Sequence, residues 1–234
     1  MQLEQYYTPR GDGFSFSREQ ASRFAKGVAD DFNPIHDTDA KRFCVPGDLL
    51  FSLALEQLGL FESMEVKFAD MVSDGVTLHF NQDDSRHIDI ADAEGRTYLS
   101  VATAGENNAN RELARDLAAE YAAFSGKTFP HVLVPLWKEH GVMVNPARPL
   151  VIYESMAIQL HQLTFSNLHL ELAGAHMEVN GKRGNARLEF EFRDGDKIIG
   201  RGEKRIVLSG LKPYEEDAVE GLVAFYEQRK TDLA

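Results

Sequence analysis

Pro46-Gly47-Asp48-Leu49-Leu50-Phe51-Ser52-Leu53-Ala54-Leu55-Glu56-Gln57-Leu58 is the stretch on which the fold turns. From Leu49 onward the run is so continuously apolar that it suits a helix wrapped by protein on most sides, not one lying half in water. Downstream, residues 66–69, 76–80, 87–91 and 97–103 read as strands. Ser73-Asp74-Gly75, Gln82-Asp83-Asp84-Ser85 and Ala93-Glu94-Gly95 separate them as turns. Upstream, residues 16–31 carry Ser17 ahead of Glu19, then Phe24, Ala25 and Val28 at helical spacing. Asn33-Pro34 stops that helix, because proline disfavours the helical region in the residue before it. A helix thus delivers the chain into a turn, and a buried helix then leads into a meander of antiparallel strands, which is an α+β plan.

The plan repeats. Residues 108–124, rich in Ala, Glu, Arg and Leu, read as a linking helix ended by Gly126 and Pro130. Residues 151–160 then align with 49–58 without a gap and share the closing Gln-Leu, so a second central helix is expected there. Residues 168–172 alternate as a strand does, as do Ala186, Leu188, Phe190 and Phe192, with turns at Asn180-Gly181 and Asp194-Gly195. A last strand is expected at 204–208. Residues 215–230 place Val219, Leu222, Val223 and Tyr226 on one face of a closing helix. The expected organisation is a first unit at 1–106, a linking helix at 107–130, a degenerate second unit at 131–210 and a C-terminal helix at 211–234.

Composition narrows the function classes. Of 234 residues, 43% are hydrophobic, enough for one large core or two small ones. With 25 Lys and Arg against 37 Asp and Glu the net charge is −12, which argues against a nucleic-acid partner. Cys44 is the single cysteine, so neither an internal disulfide nor a thiolate metal cluster is available, and a reducing compartment fits. The first residues lack the charged and apolar regions of a signal peptide, and no apolar run reaches the length of a membrane span; a cytoplasmic protein is expected. The chain has no dinucleotide glycine fingerprint, and His161 and His169 have no carboxylates at metal-site spacing, so neither cofactor nor metal is expected.

The chemistry is carried by Asp31-Phe32-Asn33-Pro34-Ile35-His36, a carboxylate and an imidazole in a turn whose course Pro34 fixes. His and a desolvated carboxylate are the side chains that can be tuned to move a proton near neutral pH. Cys44, eight residues after His36, reads as a structural cysteine because no basic context activates it.

This run resembles the Asp-x-Asn-Pro-Ile/Leu/Val-His signature of the MaoC-like, R-specific enoyl-CoA hydratases. The resemblance continues through Asp39-Ala40-Lys41-Arg42-Phe43, the Pro46-Gly47 pair, and residues 66–78, and covers about the first 100 residues. It implies a double hot-dog fold and a hydratase or dehydratase acting on an enoyl or 3-hydroxyacyl thioester carried by coenzyme A or an acyl carrier protein. Asp31 and His36 would hold the catalytic water and move the proton. Gly47 would offer its N–H to the enolate oxygen at a helix N-terminus. Asn33 would order the turn or touch the acyl chain. Arg42, with Lys41, Lys67 and Arg86, would meet phosphates of the carrier. Aligning 49–58 with 151–160 sets Glu154 opposite Ser52, where related dehydratases carry a helix carboxylate, and sets Leu133, Pro135 and Lys138 opposite Asp31, Asn33 and His36. One site per chain is therefore expected, with a homodimer compatible. The sequence departs from the family at Asp30, where glycine is usual, and at Pro46, where histidine is frequent. Asp48 would oppose an enolate unless it faces away or is protonated. An acyl-CoA thioesterase and a non-catalytic acyl-CoA or fatty-acid binding protein are the rival readings.

Overall fold

A computed structural model describes residues 1–84 and 86–233. The chain opens with a short hairpin, β1 (Thr8–Arg10) and β2 (Gly13–Ser15), followed by helices α1 (Arg18–Gly27) and α2 (Gly47–Leu58). Four strands come next: β3 (Leu60–Phe68), β4 (Leu78–Asp84), β5 (His87–Asp92) and β6 (Thr97–Asn108). Helices α3 (Arg111–Gly126) and α4 (Leu133–Glu139) and the two-residue β7 (Val142–Met143) lead to β8 (Val151–Leu160), β9 (Leu168–Asn180), β10 (Arg183–Asp194) and β11 (Lys197–Ser209). A two-residue β12 (Lys212–Pro213) and α5 (Glu216–Leu233) close the chain. The turn expected at 82–85 includes Ser85, which lies outside the described residues.

Ten strands form one antiparallel sheet in the order β1-β2-β4-β5-β6-β3-β8-β11-β10-β9. The first half contributes the six strands up to β3 and the second half the four from β8 onward. The join is β3 against β8, with Ser63 opposite Gln159 and Lys67 opposite Ser155. The helices that cover the sheet follow from their residues. α2 begins at Gly47 and buries Leu49, Leu50, Phe51, Leu53, Ala54, Leu55 and Leu58, as an apolar run without branched Cβ atoms should. α3, capped by the Asn110 side chain on the Glu112 and Leu113 N–H groups, buries Ala114, Leu117, Ala118, Tyr121 and Ala122. The two meet in one hydrophobic core that runs from Leu49 and Phe51 to Phe190 and Phe192 of β10. A second cluster gathers Trp137 of α4, Leu188, Ile206, Leu208 and Val219 of α5. Among the described residues no helix is long and apolar enough to cross a membrane.

One expectation is overturned. Residues 151–160 form strand β8, not a second central helix. Val151, Ile152 and Tyr153 are strand formers, and Met156, Ile158 and Leu160 are buried at every second position while Glu154, Ala157 and Gln159 are exposed. Pairing on both edges, with β3 and with β11, completes the case for a strand. The helix against the second half of the sheet is α3, in the segment read from the sequence as a linker. The alignment of 151–160 with 49–58 therefore sets a strand on a helix, and the positions it equated do not correspond.

Candidate active site

The motif turn is built by hydrogen bonds to its own backbone. α1 starts with a capping box between Ser17 and Gln20 and stops at Gly27, and beyond its end Asp30 stands at φ 53, a left-handed conformation that favours glycine. The Asp31 N–H then donates to the Ala25 carbonyl at 2.8 Å. Asp31 Oδ1 accepts the Asn33 N–H at 2.9 Å, and Asn33 Oδ1 accepts that of Ile35 at 3.2 Å. Asn33 thereby caps the single tight turn Pro34–His36, where proline supplies the first φ.

These bonds aim two side chains at one another. His36 Nε2 lies 3.6 Å from Asp31 Oδ2, with side-chain exposures of 12% and 19%. The Nδ1 of His36 is 2.7 Å from the Cys44 carbonyl oxygen. A carbonyl only accepts, so Nδ1 carries a proton and Nε2 is the nitrogen free to take up or release one. Burial pushes the Asp31 carboxyl above its usual range, and the His36 charge opposes that rise. Cys44 contributes its backbone, not its thiol: Sγ donates to the Val45 carbonyl, and burial pushes the thiol up to about 11.

The pair opens on a cavity of about 350 Å³. Asn33, Gly47, Asp48 and Tyr153 line it with Asp31 and His36, and Leu50, Phe68 and Val151 supply apolar wall. At the start of α2 the Leu49 N–H donates to the Pro46 carbonyl at 3.0 Å, and Pro46 offers no side-chain cap to the N–H groups beside it. The missing Cβ of Gly47 faces the Phe68 ring, whose atoms lie 2.9 Å from where that Cβ would stand. Glycine is thus required here for the aromatic wall of the cavity. Exposed Met71 and Ile152 stand at its rim, at 58% and 50% exposure.

Other sequence candidates lie elsewhere. Glu154 is exposed on β8 at a bulge, between Tyr153 paired with Ile206 and Ser155 paired with Arg205, and does not line the cavity. Arg42, Lys41 and Lys67 are exposed, and neither they nor Arg86 line it. Among the described residues no group of three or more His, Cys, Asp or Glu side chains is gathered to hold a metal.

Sequence reasoning missed four contributors. Tyr153 belongs to a segment read as helix. Lys204, fully buried, stands with Nζ 3.4 Å from the centroid of the Tyr153 ring; its only sequence signal is a lysine in phase with inward-facing Ile206 and Leu208. Tyr226 and Arg229 of α5 hold the turn from outside: the Tyr226 hydroxyl accepts the Phe32 N–H at 3.1 Å and donates to the Asp30 carbonyl at 3.3 Å, and Arg229 Nε donates to the Phe32 carbonyl at 3.0 Å. Arg229 and Lys26 both pair with Asp37, and Lys230 pairs with Asp30.

The family described as "Protein of unknown function (DUF3581)" matches residues 1–217. No curated protein matches the chain. Among solved structures, a MaoC-like dehydratase is similar at 12% identity, with 87% of this chain and 99% of that one covered and a TM-score of 0.46. An acyl-CoA thioesterase II from Mycobacterium marinum gives 10% identity, 92% and 100% coverage and a TM-score of 0.42. A conserved protein of unknown function with hot dog fold from Alicyclobacillus acidocaldarius gives 8%, 92% and 99%, and 0.46.

Proposed function

The protein belongs to the DUF3581 family, and we propose that it is a hydratase or dehydratase of acyl thioesters, adding water to a 2-enoyl thioester or removing it from a 3-hydroxyacyl thioester. The observation that carries this reading is His36 Nε2 facing Asp31 Oδ2 at 3.6 Å on the wall of a cavity that also holds the uncapped N-terminus of α2. Hydration needs a base for water, an acid for the α-carbon and donors for the thioester oxygen, and the reading gives these roles to His36, Asp31 and the first N–H groups of α2. In the hydration direction, water bound between the pair loses a proton to Nε2 while its oxygen bonds to the β-carbon, and a proton returns to the α-carbon. The Gly47 N–H meets the charge that builds on the thioester oxygen. Apolar Met71 and Ile152 at the rim suit an acyl chain.

In the same reading the ten-stranded sheet is a double hot-dog: the strand order β4-β5-β6-β3 recurs as β9-β10-β11-β8, and the two series meet at β3 and β8. α2 and α3 are the helices they enclose. The second unit has no counterpart of the β1-β2 hairpin among the described strands.

A thioesterase is the second reading, favoured by Asp48, a carboxylate lining the same cavity that is able to activate water for hydrolysis. Loss of absorbance at the enoyl double bond of crotonyl-CoA and longer 2-enoyl-CoAs, followed beside release of free thiol, separates the two. Hydration without thiol release is the expected result. Thiol release from a saturated acyl-CoA without hydration would replace this reading by the second.

A further inference from the structure

β11 places Lys204 in phase with Ile206 and Leu208, on the face that the core covers, and leaves it no exposed surface. Its Nζ donates to Ser125 Oγ at the end of α3, and it lies 3.4 Å from the centroid of the Tyr153 ring and 5.5 Å from that of Tyr121. A buried ammonium whose hydrogen bond goes to a neutral hydroxyl is costly unless a charge nearby makes use of it. The charged groups that interact with it are Asp48 of α2 and Asp31 of the motif turn, the latter itself paired with His36. Asp48 is only 6% exposed, it lines the cavity, and its Oδ1 has no hydrogen-bonding partner among the described residues. Tyr153 stands between the two sets, lining the cavity and presenting its ring to Lys204.

We propose that Lys204 is the positioning residue of this cavity: from the second half of the chain it sets a positive charge behind Asp31 and Asp48, offsetting two carboxylates that would otherwise repel the negative charge of a thioester substrate at the N-terminus of α2. It acts through Asp48 and the Tyr153 ring and touches no reacting atom. The inference rests on the acid/base reading of the site for its catalytic consequence, but not for its electrostatics. Burial draws the Lys204 ammonium down to about 8, while Asp48 and Asp31 hold it up. Conversely Lys204 lowers and Asp48 raises the Asp31 carboxyl.

The test is an NMR titration of the aspartate carboxyl carbons and the lysine side chains in the whole protein, in wild type, Lys204→Met and Asp48→Asn. Methionine keeps the length and loses the charge. The Asp31 midpoint should rise in Lys204→Met and fall in Asp48→Asn, and the Lys204 midpoint should fall in Asp48→Asn. A merely structural lysine would leave the Asp31 midpoint where it is, and that result overturns the proposal. Should Lys204→Met not fold, the Lys204 midpoint in Asp48→Asn decides, an unmoved value again overturning it. With an enoyl-CoA that the wild type turns over, Lys204→Met should lower kcat about tenfold or more with KM within about threefold. An unaltered kcat sinks the proposal. If the wild type hydrates no enoyl-CoA, the hydratase reading falls, and the titrations alone judge Lys204.

Discussion

His36 has one nitrogen committed to the Cys44 carbonyl and one facing Asp31, so in the proposed reaction its proton transfer is confined to Nε2. Removing either partner should therefore stop proton transfer while sparing the fold, because neither side chain fills the core. Asp31→Asn and His36→Ala are expected to lower turnover by about a thousandfold or more, within the range that general acid–base groups contribute. Asp31→Asn should also leave Tm unchanged or higher, since burial disfavours that charge. A calorimetric scan beside the kinetics checks both. Lys204 makes a second prediction, about pH. Burial draws its folded midpoint down to about 8, below the ordinary lysine value of 10.5, so between those limits the unfolded chain binds more protons and stability rises with pH. Across those 2.5 pH units the rise is at most about 3.5 kcal/mol, at about 1.4 kcal/mol for each unit. Lys204→Met should abolish it and leave Tm at pH 7 no lower than wild type, as thermal unfolding from pH 7 to 10.5 would show. Asp31, Asn33 and His36 were legible in the sequence because the turn is held by bonds among neighbours. Lys204 was not, because Ser125, Tyr153 and Asp48 reach it from three distant segments.

Between 49–58 and 151–160 the apolar content is similar, and what separates helix from strand is the kind of apolar residue. Leu, Ala and Phe fill the first, whereas the second opens with Val151, Ile152 and Tyr153 and buries alternate positions after Ser155. An ungapped match of hydrophobicity passes over that difference, and the role given to Glu154 rested on it. Elements with local signals fared better. α2 starts at Gly47, α3 is capped at Asn110 beside its expected start, and tight hairpin turns stand where Asn180-Gly181 and Asp194-Gly195 were read. α5 was legible as a helix, with Val219 and Tyr226 buried, but its bond to the motif turn was not. At this scale the prediction concerns Tyr226→Phe, which keeps the ring against Phe32 and Phe129 and deletes the hydroxyl that accepts the Phe32 N–H. The orphaned amide should cost about 1–2 kcal/mol. The turn, no longer fixed in place, should lose activity severalfold in kcat with KM little changed. Unchanged kinetics in that variant would show that the turn needs no support from α5.

Across the whole molecule the two halves share a continuous sheet and the larger of the two hydrophobic clusters: β3 bonds to β8, and Phe51 of α2 meets Tyr121 of α3, whose ring meets Phe190 of β10. Neither half closes its apolar face alone, so the chain should unfold in one step. Trp137, the single tryptophan, is buried in the second-half cluster, and its fluorescence in urea should follow the same curve as the far-ultraviolet circular dichroism. Two separated transitions would show that the halves are independent. The bracing of the motif turn by α5 also has a consequence in time. The Phe32 N–H and the Tyr226 hydroxyl are 194 residues apart in the chain, and a ribosome adding roughly 5–20 residues each second takes about 10–40 seconds to cover that distance. For that interval a nascent chain carries Asp31 and His36 on an unbraced turn, so in the proposed reading the onset of activity during synthesis waits for residue 226 and not for the pair itself.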